Sequence, residues 1–155
     1  MAEIIKEIIR IEGPIHVDEV TNRVKALWGY SRAGSRIQAA VNNAVGALAS
    51  SDQCQWVDGF LFLLGAPVKI RNRENISSAD LRRPEMICPM EIREAIFAVI
   101  DLGRGAGARE ISTAVARLFG FKSTSAQLRY SVENQIHKLS TINKIVEVNG
   151  LLKRA

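Results

Sequence analysis

Shifted by 91 positions, the sequence falls on itself without a gap: Leu27-Trp28-Gly29-Tyr30 meets Leu118-Phe119-Gly120-Phe121. The same shift places Ile5 on Ile96, Ile9 on Ile100, Glu19 on Glu110, Val24 on Val115, Val41 on Val132, Leu48 on Leu139 and Asp58-Gly59 on Asn149-Gly150. A fixed period of this length means that a whole small domain is duplicated, so the fold must be one that about 65 residues can form twice. No catalytic residue types recur at matching places, which points to binding or positioning.

Each copy reads as three helices followed by a hairpin. In the first, Ile4, Ile5, Ile8, Ile9 and Ile11 recur at helical spacing until Gly13-Pro14 breaks the run. Ile15 is extended, and His16 caps the next helix or fixes the turn before it. Val17, Val20, Val24 and Leu27 mark that second helix, with Asp18 and Glu19 near its positive end and Gly29 as a left-handed cap. Ser31 to Gly34 turn the chain into a third helix defined by Ile37, Val41, Ala44, Val45 and Leu48. Gln53–Val57 and Phe60–Leu64 flank Asp58-Gly59, and Lys144–Val148 and Leu151-Leu152 flank Asn149-Gly150, both two-residue hairpin signatures. The expected class is mainly α with small β-hairpins (α+β), as two tandem winged-helix domains. Helix three would be the reader and the hairpin the wing. The copies span 1–65 and 91–155, and the polar stretch 66–90 reads as a solvated linker closed by Pro89.

Composition narrows the class. With 47% hydrophobic and 24% charged residues, the chain has the balance of an ordinary globular protein. No apolar run approaches the roughly 18 residues of a membrane span, and the start lacks a signal peptide's basic region, so a cytoplasmic protein without membrane contact is expected. Cys54 and Cys88 sit at unrelated repeat positions, which disfavours a disulfide framework or zinc site. The net charge of +5 suggests an acidic partner, yet residues 1–65 carry 6 Lys/Arg against 7 Asp/Glu, and the excess lies in 66–155.

Glu12-Gly13-Pro14-Ile15-His16, Trp28-Gly29-Tyr30-Ser31-Arg32-Ala33-Gly34-Ser35-Arg36-Ile37, Pro67-Val68 followed by Arg71 and Arg73, and Leu118-Phe119-Gly120-Phe121 carry a family likeness. Together they resemble a bacterial and archaeal domain of unknown function, found at the carboxyl end of large superfamily-one helicase-like proteins that often carry a restriction-endonuclease-like segment. The resemblance implies an accessory module of a DNA-directed parent enzyme. The second copy departs from it, with Lys122-Ser123-Thr124-Ser125 before helix three and Gln127 where the first copy has Arg36.

With Ile37, Val41, Ala44 and Leu48 turned inward, the opposite face of the first helix three holds Arg32, Ser35, Arg36, Ala39, Asn42, Asn43 and Gly46. Arginine can pair with guanine edges or phosphates, asparagine can read adenine, and small residues let a helix approach a groove closely. The equivalent face of the second copy carries Tyr130, Glu133 and His137, which suits protein contact better. Arg71 and Arg73 on the linker, Lys122, and the wing residues Lys144 and Lys153 complete the candidate nucleic-acid-binding set.

Catalytic readings fail. Gly103-Arg104-Gly105-Ala106-Gly107 follows a helix and lacks the Gly-Lys-Ser/Thr ending of a phosphate loop, and His16 and His137 are not equivalent in the repeat. No catalytic, cofactor or metal residues are therefore assigned. Two functions remain: a non-catalytic nucleic-acid-binding module, with DNA and the rest of a helicase-like parent as partners, or a docking module using the exposed helix-three faces. A homo-oligomer is compatible with either.

Overall fold

The computed structural model describes residues 1–32 and 34–155, so the Ala33 position of the expected turn lies outside the described residues. The chain divides into two compact units, Met1–Pro67 and Val68–Ala155. Both combine helices with a small antiparallel sheet, an α+β composition.

The amino-terminal unit runs α1 (Ala2–Glu12), β1 (Ile15–His16), α2 (Val17–Leu27), α3 (Ser35–Ser50), β2 (Gln55–Val57) and β3 (Phe60–Phe62). Isoleucines at 5, 8 and 9 give α1 one apolar stripe, and the turn at Gly13 closes it, its N–H donating to the Ile9 carbonyl. His16 caps α2: its Nδ1 accepts from the Asp18 N–H at 3.3 Å. After α2, Gly29 takes φ +72° and the Tyr30 N–H returns to the Lys25 carbonyl. Asp58 and Gly59 both have positive φ (52° and 83°), the turn that matches strand twist and fixes the pairing of Trp56 with Leu61. Ile15 pairs with the same Leu61, giving a sheet of order β1-β3-β2. Ile5, Ile9, Val20, Val24, Val41, Val45 and Leu61 fill the core between the helices and this sheet. Each such side chain contributes about 1.5–3 kcal/mol by leaving water.

The carboxyl-terminal unit contains short 3-10 turns at Asp80–Arg82 and Pro84–Met86, then α4 (Pro89–Gly103), α5 (Ala108–Leu118), α6 (Ala126–Thr141), β4 (Ile145–Val148) and β5 (Leu151–Arg154). The bounds of α5 and α6 are those of α2 and α3 shifted by 91. Finer details recur at the same offset. Gly120 and the Asn149-Gly150 turn repeat the positive φ of Gly29 and Asp58-Gly59, and Ala106 bridges Leu152 as Ile15 pairs with Leu61. Ile96, Ile100, Ile111, Val115, Phe119, Leu128, Val132 and Ile145 form the core.

The reading of 66–90 as a solvated linker needs correction. From Val68 onward the segment belongs to the carboxyl-terminal unit: Ile70 packs against its core, and Arg73, Met86, Ile87 and Cys88 are buried. The cause is Glu91, in the first turn of α4 and fully buried, which draws in cations from residues 71–73.

Candidate nucleic-acid interface

In the amino-terminal unit, Val41, Val45 and Leu48 hold α3 against the core and turn Arg36, Ala39, Ala40, Asn43 and Ala47 to solvent. Arg32 and Ser35 are also exposed, in the turn and at the first residue of the helix. Asn42 is half-buried, and its Oδ1 accepts from Gln38 at 3.3 Å, so it stands at the edge of this strip. Of the acids in the first turn of α2, Glu19 pairs with Arg23 at 2.7 Å, and Asp18 lies 3.5 Å from His16. A few residues before the arginines in the chain, Trp28 and Tyr30 are 45% and 56% exposed and meet edge to face, with ring centroids 6.5 Å apart. Gly34 as N-cap has no side chain to satisfy the first amides of α3. Arg32, Ser35 and Arg36 thus put exposed donors at the amino end of α3, and the exposed aromatic pair precedes them in the chain. Trp28 and Tyr30 do not figure among the sequence-derived candidates, since in the sequence they serve as markers of the repeat and of the family likeness.

The carboxyl-terminal unit buries the counterpart of Trp28. Phe119, equivalent to Trp28, is 0% exposed; Arg73 lies over its ring at 5.2 Å and the Arg73 N–H donates to its carbonyl at 2.8 Å. Gln127, equivalent to Arg36, donates to Glu85 at 2.9 Å. Ser125 caps α6 through the Leu128 N–H. The same helix end recurs in both units; in the second, residues 72–74 rest on Phe119 and Gly120 before it, while Ala126 and Gln127 at its start stay exposed.

Arg73 is consequently removed from the candidate phosphate contacts. Its guanidinium grips Glu91 with Nη1 to Oε1 at 2.9 Å and Nη2 to Oε2 at 2.8 Å, while Nη1 also donates to the Arg71 carbonyl at 2.7 Å. Arg71 shares the carboxylate, with its backbone N–H on Oε1 at 2.8 Å and Nη2 on Oε2 at 3.2 Å. Burial alone would push the Glu91 carboxyl up, but the hydrogen bonds and charges of Arg73 and Arg71 outweigh it and hold the group below its usual range. Lys122 and Lys144 are exposed, and Lys153 is half-buried on β5. Next to it, Arg154 is spent on Asp101 through two 2.8 Å bonds, over the Phe97 ring. Burial raises both cysteine thiols, which makes them poor nucleophiles. Among the described residues no group of His, Cys, Asp and Glu is placed to hold a metal ion. No helix among them is long and apolar enough to cross a membrane.

The covering segment can be tested at two glycines of matching conformation. Gly29→Ala meets no atom within 4 Å and should cost only the left-handed backbone, about 1–2 kcal/mol. At Gly120 the added carbon would lie 2.5 Å from Asn72 Oδ1 and 2.6 Å from the Glu74 backbone nitrogen. Gly120→Ala should therefore be clearly the more damaging in urea unfolding followed by circular dichroism. Equal losses would show that residues 72–74 do not rest there.

Residues 1–39 match a family of unknown function. Its description reads "Protein of unknown function (DUF3320)", and the match covers α1, β1, α2 and the turn into α3, about a quarter of the chain. It therefore takes in Trp28, Tyr30, Arg32, Ser35 and Arg36, and ends before Asn42. No curated protein and no solved structure matches the chain.

Proposed function

We propose that the chain is a non-catalytic nucleic-acid-binding accessory module, of tandem winged-helix type, that presents the start of α3 to DNA. The observation that carries this reading is the uncovered end of that helix. Arg32 and Arg36 stand exposed, as do Trp28 and Tyr30 just before them in the chain, whereas the second unit has Ser123 and Gln127 in place of the arginines and buries Phe119 in place of Trp28. Guanidinium groups at a helix amino end bind phosphates or guanine edges, and exposed aromatic faces accept unstacked bases. The element order of three helices and a β-hairpin in each unit supports the winged-helix reading. On this reading the module serves a helicase-like parent enzyme in the cytoplasm, and Lys122, Lys144 and Lys153 add phosphate contacts.

Fluorescence anisotropy with single-stranded, duplex and forked DNA at two salt concentrations tests the reading. Binding should weaken steeply with salt and be lost in Arg32→Ala/Arg36→Ala, while Trp28→Ala should weaken single-stranded and forked DNA more than duplex. Absence of binding at low salt would overturn it. A second reading, a docking module, is favoured on α6, where Tyr130 is 70% exposed beside exposed Glu133. It predicts that Tyr130→Ala leaves DNA affinity unchanged and disturbs assembly with the parent.

A further inference from the structure

The glycine-rich turn Gly103-Arg104-Gly105-Ala106-Gly107 decides what the second hairpin shows to solvent. In the first unit the matching turn carries His16, whose ring lies edge to face on Phe60, centroids 5.1 Å apart, with Nε2 closing over Gly59. Phe60 is accordingly only 4% exposed. The repeat puts Gly105 and Gly107 at the positions of Pro14 and His16, and Leu151 at that of Phe60. With no ring in place, Leu151 is 39% exposed and the space around Gly150 is open.

Strand register sorts the side chains of this hairpin into two faces. Ile145 and Leu152, 1% and 7% exposed, mark the core side. On the outer side Val146 stands opposite Lys153 and Val148 opposite Leu151, the two valines being 38% and 42% exposed. The Lys153 stem lies along Gly105, and Lys144 extends the ladder by accepting the Ala155 N–H. Neither strand places an acid on this side. Glu147 pairs with Leu152 on the other face, Asp101 is held by Arg154, and Glu110 accepts the Gly107 N–H. The sheet here has two strands where the first unit has three, so the hairpin is a narrow ribbon with an aliphatic strip flanked by lysines.

We propose that the second unit meets duplex DNA through this face, laid as a two-stranded ribbon in the major groove, and not through the exposed face of α6. The proposal rests on the nucleic-acid reading and adds which surface of the second unit is used and what it touches. Lysines without an opposing acid attract a polyanion. A two-stranded ribbon enters the major groove, about 12 Å wide, and is too broad for the minor groove at about 6 Å. In the major groove the apolar group on a base edge is the thymine methyl. Val146, Val148 and Leu151 therefore lie against thymine methyls while Lys144 and Lys153 hold phosphates. By contrast α6 exposes Tyr130 and Glu133, and its Gln127 is engaged with Glu85.

The test measures fluorescence anisotropy of the full chain with a labelled A·T-rich duplex and with the same duplex carrying uracil for every thymine, which removes the methyls and keeps the backbone charge. The uracil duplex should bind several-fold more weakly, and Val148→Ser/Leu151→Ser should erase the difference. Gly107→His, which restores the ring of the first unit, should weaken the thymine duplex with thermal unfolding unchanged, since a carbon added at Gly107 meets only the Glu110 carboxylate, at 3.6 Å. Lys144→Ala/Lys153→Ala should lower the slope of log affinity against log salt by about two. If the unaltered chain binds both duplexes equally and the hairpin variants change nothing, the hairpin proposal falls while the nucleic-acid reading stands. If neither duplex binds at low salt, both fall. Binding to phosphatidylserine-containing vesicles that the hairpin variants abolish, with duplex binding untouched by them, would also overturn the proposal and assign the face to an anionic lipid surface.

Discussion

Glu91→Gln should cost the carboxyl-terminal unit about 3–5 kcal/mol, because it strands the Arg73 guanidinium in the interior without its counter-charge. That is a large share of the roughly 5–15 kcal/mol by which domains are stable. Both tryptophans, Trp28 and Trp56, lie in the amino-terminal unit, so fluorescence reports that unit and circular dichroism reports both. The expected result is a drop in the urea midpoint by circular dichroism with the fluorescence transition in place. A paired replacement, Glu91→Leu with Arg73→Met, should recover much of the loss, since a buried ion pair replaced as a whole is often neutral. A single variant with an unchanged midpoint would refute the role given to this carboxylate. Acid offers an independent check. The folded carboxyl sits below its ordinary value of 4.5, so its contribution is complete above that pH and disappears as pH falls through the folded value. Unfolding of the carboxyl-terminal unit at descending pH should accordingly be delayed to below 4.5, and Glu91→Gln should remove that part of the pH dependence.

Phe119→Ala is expected to be comparably severe, about 3–5 kcal/mol, as a fully buried ring is replaced by a cavity. The stacked guanidinium of Arg73 would lose its platform at the same time. Trp28→Ala, at the same repeat position, should change stability little, because the indole is 45% exposed. Circular dichroism in urea measures both. The contrast matters for function: one position is a core anchor, and its duplicate is surface available to a partner.

The helices and hairpins were legible because their signals are local. Val17 to Leu27 carries its own apolar stripe, first-turn acids and terminating Gly29, and the element found there has those bounds. Asp58-Gly59 and Asn149-Gly150 specify hairpins through backbone preference alone. Residues 70–88 were misjudged because what orders them is distant: two arginines look solvated in a polar stretch until the buried carboxylate 18 and 20 residues onward is seen. A sign of it was present, since Glu91 precedes Ala95 by one helical turn on the face that later carries the core, where an unpartnered acid would be costly. On α3, the exposure of Ser35, Arg36 and Asn43 was readable from helical spacing, whereas Arg32 lies in the turn before the helix. The exposure of Trp28 was not readable, because Trp28 and Phe119 look alike in the repeat and differ only in what covers them.

The strap of residues 70–74 on the second unit also separates two notions of a domain. The repeat in the sequence begins its second copy at residue 91, whereas the body that folds begins at Val68. A fragment cut where the duplication begins would keep Glu91 and Phe119, discard the two arginines that make the burial of Glu91 tolerable, and strip the Arg73 cover from the Phe119 ring. Dissection of this protein has to follow the electrostatic boundary rather than the genetic one.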